Sequence, residues 1–171
     1  MKIYLDSAQT GSWKLPAGCP SVQGVTTNPS LVHQAGLPVN LPSYLDLLRA
    51  AADHGFAELM LQLPDKDLAL AATWLEALRA LSQRLSVQLT VKLPCAPEWE
   101  ACIRWIQGQG QPVLLTGLSN PVQLLWARQL GADYVAPYVG RLVNDGRNVW
   151  ALMQACVAQQ SGGPQLLAAS I

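Results

Sequence analysis

The residue with the most chemistry open to it is Lys92, which closes the run Val87-Gln88-Leu89-Thr90-Val91-Lys92-Leu93-Pro94. That run reads as a buried strand with a cation near its C-terminal end. Burial disfavours an ammonium ion and can lower a lysine pKa from about 10.4 by several units. The neutral amine can then attack a carbonyl carbon. The competing reading is a lysine that extends its ammonium past the strand end to water, or that pairs structurally with Asp6. Asp6 closes the first strand candidate. It could act as general base on a substrate hydroxyl while the lysine holds the carbonyl carbon, or it could only cap the following turn. Gln62, Thr116 and Tyr138 could together hold a water that carries protons as an imine forms and hydrolyses. Taken singly, each is more often a polar residue of surface or core. Thr26, Thr27 and Asn28, before Pro29, read as a turn and helix start. Arg141 follows Pro137-Tyr138-Val139-Gly140, expected as a loop where glycine lets backbone approach a ligand and guanidinium suits a phosphate. A solvated surface arginine is the alternative.

These residues need a scaffold that gathers strand ends. Short β-branched runs alternate with longer helical stretches, as βαβ units around a parallel sheet do. The strand candidates are Lys2–Asp6, Gln23–Thr26, Ala57–Leu63, Val87–Leu93, Pro112–Thr116, Tyr134–Pro137 and Gln165–Ser170. Helices are expected over Ser43–His54, Lys66–Gln83, Pro97–Gln107, Pro121–Leu130 and Arg147–Gln160. Leu68, Ala71, Ala72, Leu75, Leu78 and Leu81, at three- and four-residue steps, mark the clearest amphipathic helix. Asn120-Pro121 reads as a cap and first-turn proline, with Gly131 closing that helix. Two architectures accommodate this pattern: a doubly wound open sheet, or a (β/α)8 barrel without its last strand. No GxGxxG follows the first strand, so the dinucleotide fingerprint is absent. The polar residues Asp6, Thr26, Asn28, Gln62, Lys92, Thr116, Tyr138 and Ser170 sit where strands end, which favours the barrel.

Composition sets bounds. The chain has 171 residues, 50% of them hydrophobic and 13% charged, enough for one substantial core and a single domain over residues 1–171. Eleven basic residues balance eleven acidic ones. No long-range field therefore favours nucleic acid or anionic lipid, and a charged ligand must be held by a few placed side chains. Asp6 interrupts any apolar leader, and no stretch is long and apolar enough for a membrane span, so a cytoplasmic protein is expected. Cys19, Cys95, Cys102 and Cys156 lack CxxC spacing and lie near neither His33 nor His54 in sequence. Reduced buried thiols, with no metal site and no disulfide framework, are the expectation.

Several stretches resemble the small transaldolases: Tyr4-Leu5-Asp6-Ser7-Ala8, Gly24-Val25-Thr26-Thr27-Asn28-Pro29-Ser30-Leu31, Val91-Lys92-Leu93-Pro94, Gly131 through Arg141, and the closing Leu167-Ala168-Ala169-Ser170. They recur in the family's order and span the chain, so the joint match is far more specific than any one of them. The resemblance implies a (β/α)8 barrel of the transaldolase type and makes Lys92 a Schiff-base lysine. Asp6 matches the family's proton-transfer aspartate, Asn28 a substrate-hydroxyl contact, and Arg141 and Ser170 its phosphate-binding positions. Thr26 is counted with these substrate-binding residues. Transaldolases place a glutamate where Gln62 stands and a phenylalanine where Tyr138 stands. Gln62, Thr116 and Tyr138 resemble instead the fructose-6-phosphate aldolase branch, in which they would position a water.

The implied reaction joins Lys92 to a ketose carbonyl, takes the C4 hydroxyl proton with Asp6 and breaks the C3–C4 bond to leave an enamine. Water and a proton then release the three-carbon fragment in an aldolase, whereas an aldehyde captures it in a transaldolase. No cofactor or metal is expected, because the iminium is the electron sink. The family's usual chain continues beyond the seventh strand, and the basic residue it places shortly after Ser170 is absent. The chain is therefore expected as a barrel truncated after the seventh strand, without the eighth strand and terminal helices. Open strand edges and apolar surface beside them predict association with further copies. The six tryptophans are expected to pack helices or an interface. Three readings follow: an active Schiff-base enzyme acting on a sugar or sugar phosphate, a binding or structural protein of aldolase ancestry, and a fragment that folds with a partner segment. Retention of Asp6, Asn28, Lys92, Thr116 and Tyr138 favours the first.

Overall fold

The structure, a computed structural model, describes residues 2–15, 18, 21–158 and 161–168. Residue contacts divide the chain into two compact units, Met1–Val91 and Lys92–Ile171.

In the first unit, β1 (Tyr4–Asp6) precedes β2 (Gly24–Thr26), α1 (Pro29–Gln34), α2 (Leu41–Asp53), β3 (Glu58–Gln62) and α3 (Leu68–Leu85). The strand β4 (Gln88–Pro94) then begins and carries across the division. β1 pairs with β2, and β2 with β3, all parallel. Asn28 and Asn40 each accept a hydrogen bond from a first-turn N–H and are followed within two residues by proline, which is why α1 and α2 start there. Helices α2 and α3 bury Tyr44, Leu47, Leu48, Leu75 and Leu78. The Tyr44 and Trp74 rings meet edge-on at 4.8 Å, the arrangement their quadrupoles favour.

Glu58 is buried at the start of β3, where it accepts from the Tyr4 hydroxyl (2.7 Å), the Thr90 hydroxyl (2.6 Å) and Gln88 Nε2 (3.3 Å). Three donors stand in for the water this carboxylate lost. Beside it, β2 runs so close to β3 that a Cβ on Gly24 would fall inside the Glu58 carbonyl oxygen.

In the second unit, β4 leads to α4 (Glu100–Gly108), β5 (Val113–Leu118), α5 (Pro121–Leu130), β6 (Tyr134–Pro137), α6 (Val139–Asn144), α7 (Val149–Ala158) and β7 (Gln165–Leu166). β5 pairs with β6, and β6 with β7, again parallel. Ile103, Ile106, Leu114, Leu115, Leu124 and Val135 are fully shielded between its strands and helices.

The strand order is β1-β2-β3-β4-β5-β6-β7, each strand beside its predecessor in the chain. A doubly wound sheet reverses direction at a switch point; sequential order is that of a (β/α) barrel. The expected α/β class therefore holds, with seven strands in the sequential order of βα units. Of the expected elements, Pro121–Leu130 and Tyr134–Pro137 match the observed bounds, and the rest differ by a few residues at their described ends; the ends expected at Gln160 and Ser170 lie outside the described residues. The Pro97–Gln107 expectation divides into a 3-10 turn (Pro97–Trp99) and α4. One expectation is corrected: of the loop expected over Pro137–Gly140, Pro137 ends β6 and Val139 and Gly140 begin the helix α6, in which the Leu142 N–H donates to the Tyr138 carbonyl. No helix among the described residues is long and apolar enough to cross a membrane.

Candidate active site

In the first unit, register places Asp6 opposite Thr26 and Thr26 opposite Met60. Paired residues of parallel strands project to one face, and that face recurs every second residue. Asp6, Thr26 and Gln62 therefore share a face at the C-terminal ends of β1, β2 and β3. Asp6 is exposed, Thr26 is buried and Gln62 is half-buried. The Gln62 carbonyl is held by the Tyr44 hydroxyl at 2.9 Å, and burial pushes that phenol up from its ordinary pKa. This leaves the Gln62 backbone tied down, with its side chain at the strand end.

Asn28 is the cap of α1, as the helix start expected before Pro29 requires. Its Oδ1 accepts the Leu31 N–H at 3.0 Å to cap α1, so the amide nitrogen is the end suited to meet a substrate oxygen. Asn28→Asp keeps the capping oxygen and removes the amide donor; Asn28→Ala removes both. The aspartate variant is expected to melt with the parent protein but bind substrate more weakly. The alanine variant is expected to lose about 1 kcal/mol of stability as well. Thermal melts beside KM measurements check this; an aspartate variant with unchanged KM would remove Asn28 from the substrate contacts.

In the second unit, Lys92 lies in β4 with 5% of its surface exposed, so the expected burial of this lysine holds. The Cys95 N–H donates to the Thr116 carbonyl at 2.8 Å, which sets the end of β4 beside β5. By that register Pro94 stands opposite Thr116, and Lys92 lies one step earlier on the same face. Thr116 is itself 6% exposed. Opposite it on β6 is Ala136, and two residues on is Tyr138, whose N–H donates to the Leu118 carbonyl at 3.3 Å. Arg141, one turn into α6, brings its guanidinium carbon within 4.5 Å of the Tyr138 ring centroid. Arg141 is exposed and Tyr138 half-buried, so cation and phenol lie at the surface end of this strand cluster.

Cys95, three residues after Lys92, is the other nucleophile nearby. Burial pushes its thiol up to about 12, and its sulfur faces the Gln123 carbonyl. A thiol so held is inert at neutral pH, which leaves the lysine. Cys95, Cys102 and Cys156 are buried; Cys19 and Ser170 lie outside the described residues.

Sequence reasoning passed over Gly117. It interrupts β5 between Thr116, paired with Ala136, and Leu118, paired with Pro137, and it has φ +84°. A lone glycine inside a strand pattern is the signal that could have marked this bulge.

The sequence pattern of the family Transaldolase/Fructose-6-phosphate aldolase matches residues 3–166. A probable transaldolase of Rhodospirillum centenum (strain ATCC 51521 / SW) is 31% identical over 147 residues, 86% of this chain and 60% of that protein. One from Caulobacter sp. (strain K31) is 30% identical over 177 residues, 100% of this chain and 76% of that protein. One from Aquifex aeolicus (strain VF5) is 29% identical over 147 residues, and the chain spans 61% of its length. With the sequential parallel strands and the buried lysine of β4, a match running nearly end to end shows that this chain belongs to the transaldolase/fructose-6-phosphate aldolase family.

Proposed function

We propose that the chain is a class I aldolase or transaldolase that breaks or forms the C3–C4 bond of a ketose of the fructose 6-phosphate type through a Schiff base on Lys92. The observation that carries this is the burial of Lys92 on β4, with Thr116 and Tyr138 at the ends of the next two strands. A buried lysine towards the C-terminal end of a barrel strand is placed where a carbonyl carbon can be attacked.

The reaction proceeds as follows. The Lys92 amine adds to the C2 carbonyl, and loss of water leaves a protonated imine. Asp6 takes the proton of the C4 hydroxyl as the C3–C4 bond breaks. The bonding pair moves into C2–C3, neutralising the iminium as an enamine, and the aldehyde departs. Protonation at C3 and addition of water at C2 then release the three-carbon ketone and restore the amine. Gln62, Thr116 and Tyr138 hold the water of these proton transfers. An acceptor aldehyde that reaches C3 first makes the overall reaction a transaldolation. Thr26 and Asn28 serve the substrate hydroxyls, and Arg141 with Ser170 serves a phosphate. The iminium supplies the electrophile, so the scheme calls on no cofactor. The glutamine and tyrosine at 62 and 138 support the aldolase branch, in which water hydrolyses the imine.

Borohydride trapping tests the central step. Fructose 6-phosphate or dihydroxyacetone, reduced in place, is expected to leave a stable adduct that peptide mapping assigns to Lys92. A folded sample that gives no adduct with either ligand would replace the enzyme by a binding protein of the same ancestry.

The same reading includes a cytoplasmic setting, in which buried thiols stay reduced, and self-association. Val122 and Leu125 on α5 and Trp150 on α7 are 72%, 57% and 73% exposed, apolar surface of the kind that copies of a chain bury. Light scattering at rising concentration is expected to show a species larger than one chain; a monomer throughout would exclude it.

A further inference from the structure

Gly117 lies in the left-handed region, where residues with a side chain are strained. A Cβ placed on it would stand 3.1 Å from Tyr138 Cε2, 3.3 Å from Cζ and 3.5 Å from the hydroxyl oxygen. The hydroxyl end of the phenol therefore rests against the bare Cα of the bulge. The guanidinium of Arg141, with its carbon 4.5 Å from the ring centroid, lies over the ring, a cation–π contact by distance. The ring is thus confined by a bulge of β5 at one end and by a cation from α6 over it. Its own backbone is fixed by the bond from its N–H to the Leu118 carbonyl, the first residue past the bulge.

We infer that Gly117 is a positioning residue: the bulge it permits, and the side chain it lacks, set the Tyr138 hydroxyl, and the Tyr138 ring in turn seats Arg141. This rests on the reading of Tyr138 as a holder of the catalytic water. It assigns to one glycine the common placement of a proton-transfer group and an anion-binding group. A side chain at 117 moves both by a few tenths of an ångström, which is tolerable for folding and intolerable for proton transfer, where misplacement is felt steeply.

The experiment compares Gly117→Ala, Gly117→Asn, Tyr138→Phe and the Gly117→Ala/Tyr138→Phe pair in fructose 6-phosphate cleavage. Gly117→Ala is expected to lower kcat about tenfold. Because it acts through the hydroxyl that Tyr138→Phe removes, the double variant is expected to turn over no more slowly than Tyr138→Phe alone. Asparagine tolerates the left-handed backbone but carries the same Cβ, so Gly117→Asn is expected to stay impaired. Recovery of the parent kcat in Gly117→Asn, or losses that multiply in the double variant, would overturn the inference by showing a backbone or general folding effect. A second readout needs no turnover: in ring-13C-tyrosine spectra, with Tyr138 assigned by its loss in Tyr138→Phe, Gly117→Ala is expected to shift Tyr138 and leave Tyr4, Tyr44 and Tyr134 in place. An unmoved Tyr138 signal overturns the inference. If the parent protein neither traps a ketose nor cleaves one, the aldolase reading fails by itself, and the spectrum still decides whether Gly117 sets the ring.

Discussion

Lys92→Met is expected to abolish adduct formation and to lower kcat/KM for ketose cleavage by about ten-thousandfold, the scale of losing a covalent nucleophile. Stability is expected to hold within about 1.5 kcal/mol of the parent protein, because the side-chain volume is conserved. Methionine is unbranched, nearly as long and fully apolar, so it can fill the volume of a side chain that is 5% exposed. The pairing of near-total inactivation with an unchanged melt separates a chemical role from a structural one. Lys92→Arg is a harsher test of packing, because a planar guanidinium must fit where an amine stood; it too is expected to be inactive, since arginine does not form the imine. Steady-state cleavage, borohydride trapping and thermal melts on both variants check this. Activity within tenfold of the parent in Lys92→Met would show that the carbonyl is attacked by another group or by none. Cys95 is a poor replacement, since burial holds it as a thiol.

Gly24→Ala is expected to cost about 3 kcal/mol or more and to yield little soluble protein. The obstacle is backbone, not side chain: the new Cβ meets the carbonyl oxygen, carbonyl carbon and Cα of Glu58, which can move only if β2 and β3 separate. Separation would also break the ladder that aligns Gly24 with Glu58, Val25 with Leu59 and Thr26 with Met60. The hydrogen bond from the Thr27 N–H to the Met60 carbonyl, 3.0 Å long, would break with it. Gly117→Ala makes the contrast, because there the obstacle is the edge of a tyrosine ring that can tilt. The first substitution is expected to act on stability and the second on turnover. Urea unfolding monitored by circular dichroism checks the first. A Gly24→Ala protein melting within about 2 °C of the parent would mean that β2 and β3 do not approach so closely.

How much of this is legible in the sequence depends on the range of the physics involved. The α3 helix is legible because its apolar positions recur at three- and four-residue steps, and Ala71, Leu75, Leu78 and Leu81 are the positions it buries. The start of α5 is legible because Asn120 caps and Pro121 follows, both local preferences. The α6 helix is not. Its six residues contain an internal glycine and a single fully buried apolar side chain, Leu142, too little for a period to show. Arg141 accordingly passes for a loop residue, though its assignment to the phosphate side does not depend on that.

Composition, period and motif order thus determined the α/β class, the sequence of strands and helices, the burial of Lys92 and the family; each of these depends on neighbours along the chain or on a pattern that survives in one dimension. Tertiary structure alone decided that Gly24 lets two strands touch and that a bulge at Gly117 sets Tyr138 under Arg141. Those facts are contacts between residues far apart in sequence or turned by an unusual dihedral. A one-dimensional pattern records which residues are present, whereas a register shift or a left-handed φ is chosen by the packing of strands against one another.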